Sequence, residues 1–176
     1  MSVSFAAFSD RADGCGALRS GGDMVRGMYA LLAALLLAAP LAANTGSVPS
    51  RNDVIAQVTK AVEFYRQYGR ERALAEFNKR DGEFAQGMDY VDVHDLNGVC
   101  VAHPVSPEIV GQNRLGVADM HGKKFIREIV EAARAQQVTG WVSYMRENPN
   151  NGRIEHKIAY WALHDGLIFK AGTYEQ

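Results

Sequence analysis

Lys157 is the charge in this 176-residue chain most able to recognise a small molecule. It sits in "GWVSYMRENPNNGRIEHKIAYW", Gly140 to Trp161, two runs of alternating aromatic and polar residues around a turn-forming cluster. An ammonium in mid-strand, between a core and whatever covers the sheet, is costly unless an anion meets it, and a ligand carboxylate is a suitable anion. Pairing with Glu155 or Asp165, or escape of the amine to solvent along its stem, would serve equally well. Tyr144 and Tyr160 are placed to donate hydroxyl hydrogen bonds and Trp141 to form an apolar wall, with core packing the competing role for each.

Other chemistry finds little support. The five histidines, His94, His103, His121, His156 and His164, lack the HExxH spacing of a zinc enzyme, and "CVAH" supplies one Cys and one His where a zinc site wants four ligands. "DLNG" lacks the acidic spacing of a calcium loop, and there is neither a Gly-rich phosphate loop nor a serine elbow. Cys100 and His103, at i and i+3 on a strand, would face opposite sides. The expectation is a non-catalytic protein without metal or cofactor.

The elements that must position these residues follow from periodicity. From Asp53, apolar residues at Val54, Ile55, Val58, Ala61, Val62 and Tyr65 form a one-sided helical stripe. Asn52 or Asp53 is suited to cap it, Gly69 to break it, and "RERALAEFNKR" to carry it to about Lys79. Period two takes over at Tyr90, Val91 and Val93. Asn97-Gly98 turns the chain, Val99 and Val101 return it, and Pro104 and Pro107 end the strand.

Gly111 to Gly122 reads as a loop, with Asp119 preparing a second helix marked by Phe125, Ile126, Ile129, Val130 and Ala133. Strands over Thr139–Glu147, Arg153–Leu163 and Leu167–Tyr174 complete an α+β architecture, a long N-terminal helix packed on an antiparallel sheet of about five strands. The last three strands carry bulk on both faces, so both must be covered. The N-terminal helix covers one; the Pro104 to Gly122 loop and the helix from Lys123 roof the other and leave a natural place for a closed pocket.

Register stays open. If Glu147 faces Arg153, Lys157 shares a face with Ser143, Trp141 and Trp161 while Tyr144 lies on the other; a shift of one residue reverses the grouping.

Composition bounds the partners. With 47% hydrophobic residues, 22% charged residues and a formal net charge of -1, the chain shows no basic footprint for nucleic acid. Near the start, Arg26, an apolar run from Tyr29 to Ala39, Pro40 and small residues at Ala42 and Ala43 have the shape of a secretory signal over residues 24–43, with a membrane anchor as the other reading. Residues 1–23 read as a misassigned start, residues 44–52 as a linker and residues 53–176 as one domain. Cys15 lies ahead of the signal, so Cys100 stands alone in the exported part and forms no internal disulfide.

"HPVSPEIVGQN", "ADMHGKKFIREIV", "GWVSYMRENPNNG", "KIAYW" and the terminal "AGTY" together resemble the single Cache domains, PAS-like extracytoplasmic sensors of bacterial chemoreceptors and histidine kinases. The similarity runs from about Asp53 to Tyr174. It implies a long helix, a central antiparallel sheet and a pocket on the opposite sheet face for small organic acids or amino acids. From the roof, His103 in the family-like "AHP", Arg114 as a two-pronged carboxylate clamp and Phe125 join the candidates. A turn-fixing role for His103 and a solvated Arg114 compete with those assignments.

The chain stops at Gln176, two residues past "AGTY", which sets the expectation of a free-standing exported binding module without its own signalling region. A carboxylate-bearing metabolite, a membrane receptor or histidine kinase, and a second copy docked through the N-terminal helix are the partners this implies. A non-catalytic interaction or structural protein docking on such a receptor is the alternative.

Overall fold

The computed structural model describes residues 48–175; the expectations for residues 1–23, the signal at 24–43 and the first part of the linker lie outside them. Helix α1 spans Arg51–Phe77. It starts two residues before the sequence suggested, because Ser50 caps it: the Ser50 hydroxyl accepts from the Asp53 N–H while the Asp53 carboxylate accepts from the Ser50 N–H, a reciprocal capping box. Gly69, at φ 77° and ψ 168°, interrupts the helix in a conformation open essentially to glycine alone. Val54, Val58, Ala61 and Tyr65 before it, and Ala73 and Phe77 after it, form the buried stripe.

A short ribbon, β1 (Ala85–Gln86) and β2 (Asp89–Tyr90), leads into β3 (Asp92–Asp95) and β4 (Cys100–Ala102). A 3-10 turn at Pro107–Ile109 and helix α2 (Phe125–Arg134) follow, then β5 (Thr139–Asn148), β6 (Arg153–His164) and β7 (Leu167–Tyr174). The main sheet is antiparallel, in the order β4-β3-β7-β6-β5. Asp95 closes the β3–β4 turn by accepting from the N–H groups of Asn97 and Val99, with Gly98 at φ 75°.

Both faces are covered. α1 packs Val54, Val58, Tyr65 and Phe77 onto Val93, Phe169 and Ala171, joined by Phe84. On the other side α2 packs Ile126, Ile129 and Val130 onto Val142, Ala159, Trp161 and Ile168. The roof loop also guards the sheet edge: Cys100 N–H donates to Gln112, Gly111 N–H to Cys100 and Arg114 N–H to Gly98, which consumes backbone groups of β4 that would otherwise invite another strand.

Two local expectations are corrected. Asp119 does not cap α2, whose N-cap is Lys124 with no side-chain hydrogen bond. Its carboxylate accepts instead from the N–H groups of His121, Lys123 and Met145, tying the roof loop to β5. The β5–β6 register pairs Tyr144 with Lys157 and Glu147 with Ile154, one residue away from a Glu147–Arg153 pairing. The closing pair is Asn148–Arg153 around a loop in which Gly152 takes φ 67°.

Candidate functional site

That register decides which side chains meet. Residues opposed in an antiparallel pair share a face, so Tyr144 and Lys157 point together toward α2 and the roof. Trp141 and Tyr160, opposed to each other, lie on the α1 side, which removes both from the chamber and corrects the expectation of Trp141 as an apolar wall and Tyr160 as a hydroxyl donor to a ligand. Their rings are 5.2 Å apart, and Trp141, 38% exposed, carries the Arg51 guanidinium 5.5 Å from its ring.

Between the sheet and the roof is a chamber of about 40 Å³. Lys157, Tyr144, His103, Arg114 and Phe125, five of the residues singled out from sequence, line it. So do Tyr90, Asp92, His94, Arg146 and Lys170, which the sequence reading passed over. A signal for the first three existed: Tyr90, Asp92 and His94 recur at period two, hence on one face.

The floor is a buried ion pair. Lys170 Nζ lies 2.8 Å from Asp92 Oδ1, both almost wholly buried. Burial pushes the Asp92 carboxyl upward, but the Lys170 ammonium, helped by His94, outweighs it and holds the group far below the usual carboxylate range. Lys170 mirrors this: burial pulls its amine down, and Asp92 more than restores it, leaving it above the ordinary lysine value. His94 Nδ1 stands 3.2 Å from Asp92 Oδ2, buried and without the alignment of a hydrogen bond.

Lys157 has no such partner. It is 4% exposed, so the solvent escape considered for it does not occur. Glu155 is engaged by Asn148 and Asn151, and Asp165 accepts from Tyr65. Among the described residues no carboxylate lies within salt-bridge distance of its amine, which donates only to the Tyr90 hydroxyl at 3.3 Å. Its Nζ sits 4.7 Å from the Tyr90 ring and 5.2 Å from the Tyr174 ring, a partial cage of aromatic faces. Burial, opposed by Tyr144 and reinforced by Lys170, lowers its pKa. Gly172 makes the room: a Cβ there would stand 3.0 Å from Lys157 Cε and 2.8 Å from the Ile158 carbonyl oxygen.

The roof supplies donors and shape. His103 Nδ1 accepts from the Ser106 N–H at 2.9 Å, so the turn-fixing role is real, and it leaves the ring proton on Nε2. Burial lowers this imidazole to about 4, keeping it neutral. Phe125, at the start of α2, stacks on Tyr144 with ring centroids 3.9 Å apart and planes 7° from parallel. Among the described residues the Arg114 guanidinium bonds only to Gln112 in the same loop, and neither it nor the Arg146 guanidinium holds a carboxylate.

Asp92 and Lys170 cancel, so the chamber is left with a cationic bias from Lys157, Arg114 and Arg146 and with neutral donors around it. That arrangement is electrostatically suited to an anion. Cys100 is buried and its thiol is pushed up to about 12, first by burial and then by Asp92, which disfavours the reactive thiolate.

The family model described as "Single Cache domain 2" matches residues 46–166. A solved Cache chemosensory domain, described in terms of carboxylic acid recognition, is 24% identical, with 71% of this chain and 92% of that chain covered and a TM-score of 0.59. The periplasmic sensor domain of a chemotaxis protein is also 24% identical, over 71% and 90% of the two chains, with a TM-score of 0.54. A methyl-accepting chemotaxis protein from Vibrio parahaemolyticus is 16% identical over 70% and 86%, with a TM-score of 0.58. At these identities the likeness is one of fold.

Proposed function

This chain belongs to the single Cache domain 2 family, and from that premise we propose that it is an exported sensor module that binds a small monocarboxylate in the chamber beside Lys157. The observation that carries the reading is the buried Lys157 amine with no carboxylate partner among the described residues. A group in that position gains most when a single negative charge arrives, because the Coulomb attraction then acts where water does not screen it. Tyr144 and the Nε2–H of His103 are neutral donors for the second carboxylate oxygen, and Arg114 and Arg146 hold the potential positive at the rim. Phe125 and Ile126 close the chamber over the ligand's first carbons.

A chemosensory relative of this fold recognises carboxylic acids, which accords with the charge pattern here. Export accords with the periplasmic setting of a second relative. The bound state would be passed to a membrane receptor or histidine kinase, with pairing of two copies through α1 as a natural arrangement for such transfer.

Thermal unfolding in the presence of a panel of carboxylates tests the reading. A ligand held at a hundred times its Kd adds about 2.7 kcal/mol to stability, a shift easily measured. Stabilisation by at least one monocarboxylate, absent in Lys157→Met, is the expected result. A panel without effect, or one that stabilises the Met variant equally, would overturn it.

A further inference from the structure

A second recess opens on the far side of the wall that Lys157 helps to build. Its volume is about 340 Å³. That lies inside the roughly 300–1,000 Å³ usual for small-molecule sites, whereas the chamber of about 40 Å³ lies far below it. By the roughly 10–15 Å³ that one water-sized group requires, the chamber takes only a few such groups, enough for a carboxylate and the carbon next to it. Tyr90, Arg146 and Lys157 line both spaces.

The outer recess is made differently from the chamber. Its apolar surface comes from Met88 in the β1–β2 turn, Val105 just beyond His103 and Pro149 in the β5–β6 turn, with Tyr174 beside Lys157. Val105 is 42% exposed, an apolar side chain left facing the recess mouth. A larger hollow near Met120 and Ile154, about 560 Å³, shares only Arg146 with the chamber and does not reach Lys157.

We infer that the chamber and the outer recess are two halves of one site. The carboxylate sits at Lys157, and the ligand's apolar body passes Tyr90 into the recess between Met88, Val105 and Pro149. The ligand class is therefore monocarboxylates with an apolar body of several carbons, linear or aromatic, in preference to two-carbon acids. This inference rests on the carboxylate reading of the chamber and adds the length and polarity of what is attached.

Titration calorimetry of the full chain with acetate, propionate, butanoate, hexanoate and phenylacetate tests it. Each methylene buried in the recess strengthens binding about fourfold, so hexanoate should bind on the order of fiftyfold more tightly than propionate. Val105→Asp, and independently Met88→Asp, should flatten the series by placing a charge against the apolar body; circular dichroism verifies that each variant is folded. If acetate binds in a Lys157-dependent manner but affinity is level or falls with chain length, the two-part site is wrong and the carboxylate reading stands. A length series that survives both Asp variants also overturns it. Should no acid of any length bind, both readings fall together.

Discussion

On the α1 side of the sheet the interface is built from rings and branched aliphatics. Phe77 meets Phe84 and Phe169 edge to face, at 4.8 and 6.0 Å between centroids, and Phe64 packs on Phe84 at 5.2 Å. On the α2 side the same strands present Asp92, His94, Lys157 and Lys170, nearly as well buried. β7 shows the division most directly. Leu167, Phe169 and Ala171 belong to the α1 core, and Lys170 with Tyr174 belongs to the other face. Strand periodicity thus lets one backbone carry two unlike environments: one face stores stability in apolar burial, while its neighbours spend some of it holding charges out of water.

The largest effect should come from damaging the apolar face. Phe169→Ala leaves a cavity beneath α1 and costs about 3–5 kcal/mol, read from the denaturation midpoint. Carboxylate affinity of the folded fraction should change less than twofold. The matching experiment on the charged face is the double replacement Asp92→Leu with Lys170→Met, which removes a buried ion pair and fills its volume. Such exchanges are often neutral or stabilising, so the midpoint should hold or rise while ligand binding weakens. Equal losses of stability from the two experiments would erase the distinction between the faces.

A pH experiment sharpens it next. His103 is held near 4 in the fold against about 6.5 in the unfolded chain, so between those values the unfolded state takes up a proton that the folded state refuses. Stability therefore falls as the pH is lowered from about 6.5 to about 4, by up to roughly 3 kcal/mol. His103→Phe should flatten that interval. The contribution of Asp92 is lost only lower, beneath its ordinary value near 4. A smaller effect, and one confined to the α1 side, is expected of Gly69→Ala. The strain of a side chain at φ 77° costs about 1–3 kcal/mol, and the length dependence of acid binding should not move.

These two faces were unequally legible in the sequence. The α1 stripe, the Gly69 break and the Leu167–Tyr174 strand follow from local period, and each appears where expected. The Ser50 cap was missed because Asp53, the better-known capping type, sits at the third helical position of the same capping box. Grouping across β5 and β6 hinged on a single residue in "NPNNG", since a step of one in the turn exchanges every side chain between the faces. That step puts Tyr144 with Lys157 on the chamber face and Tyr160 with Trp141 on the other, where the alternative register would have grouped Tyr144 with Tyr160. Asp92 and Lys170 are 78 positions apart, and nothing local announces that β3 and β7 are neighbours. Arg146 was the nearer miss, two residues from Tyr144 on the same strand and therefore on the same face.

The smallest effect carries the most specific sign. Lys157→Met removes an amine that the fold buries without a counterion, so it should raise stability by about 1 kcal/mol, the low end of the gain seen when buried ions give way to apolar residues. The gain should depend on pH. Because burial lowers the pKa of this lysine, the unfolded chain binds a proton that the folded chain holds less firmly, and wild-type stability climbs as pH rises toward the ordinary lysine value near 10.4. Wild type and the Met variant should therefore converge at alkaline pH and diverge as it falls. Bound monocarboxylate should reverse the order at neutral pH, since the anion supplies the charge the lysine lacks. A Lys157→Met variant less stable than wild type in the absence of ligand would mean that the cage of Tyr90 and Tyr174 already satisfies the amine, and the contrast between a self-sufficient face and one awaiting an anion would dissolve.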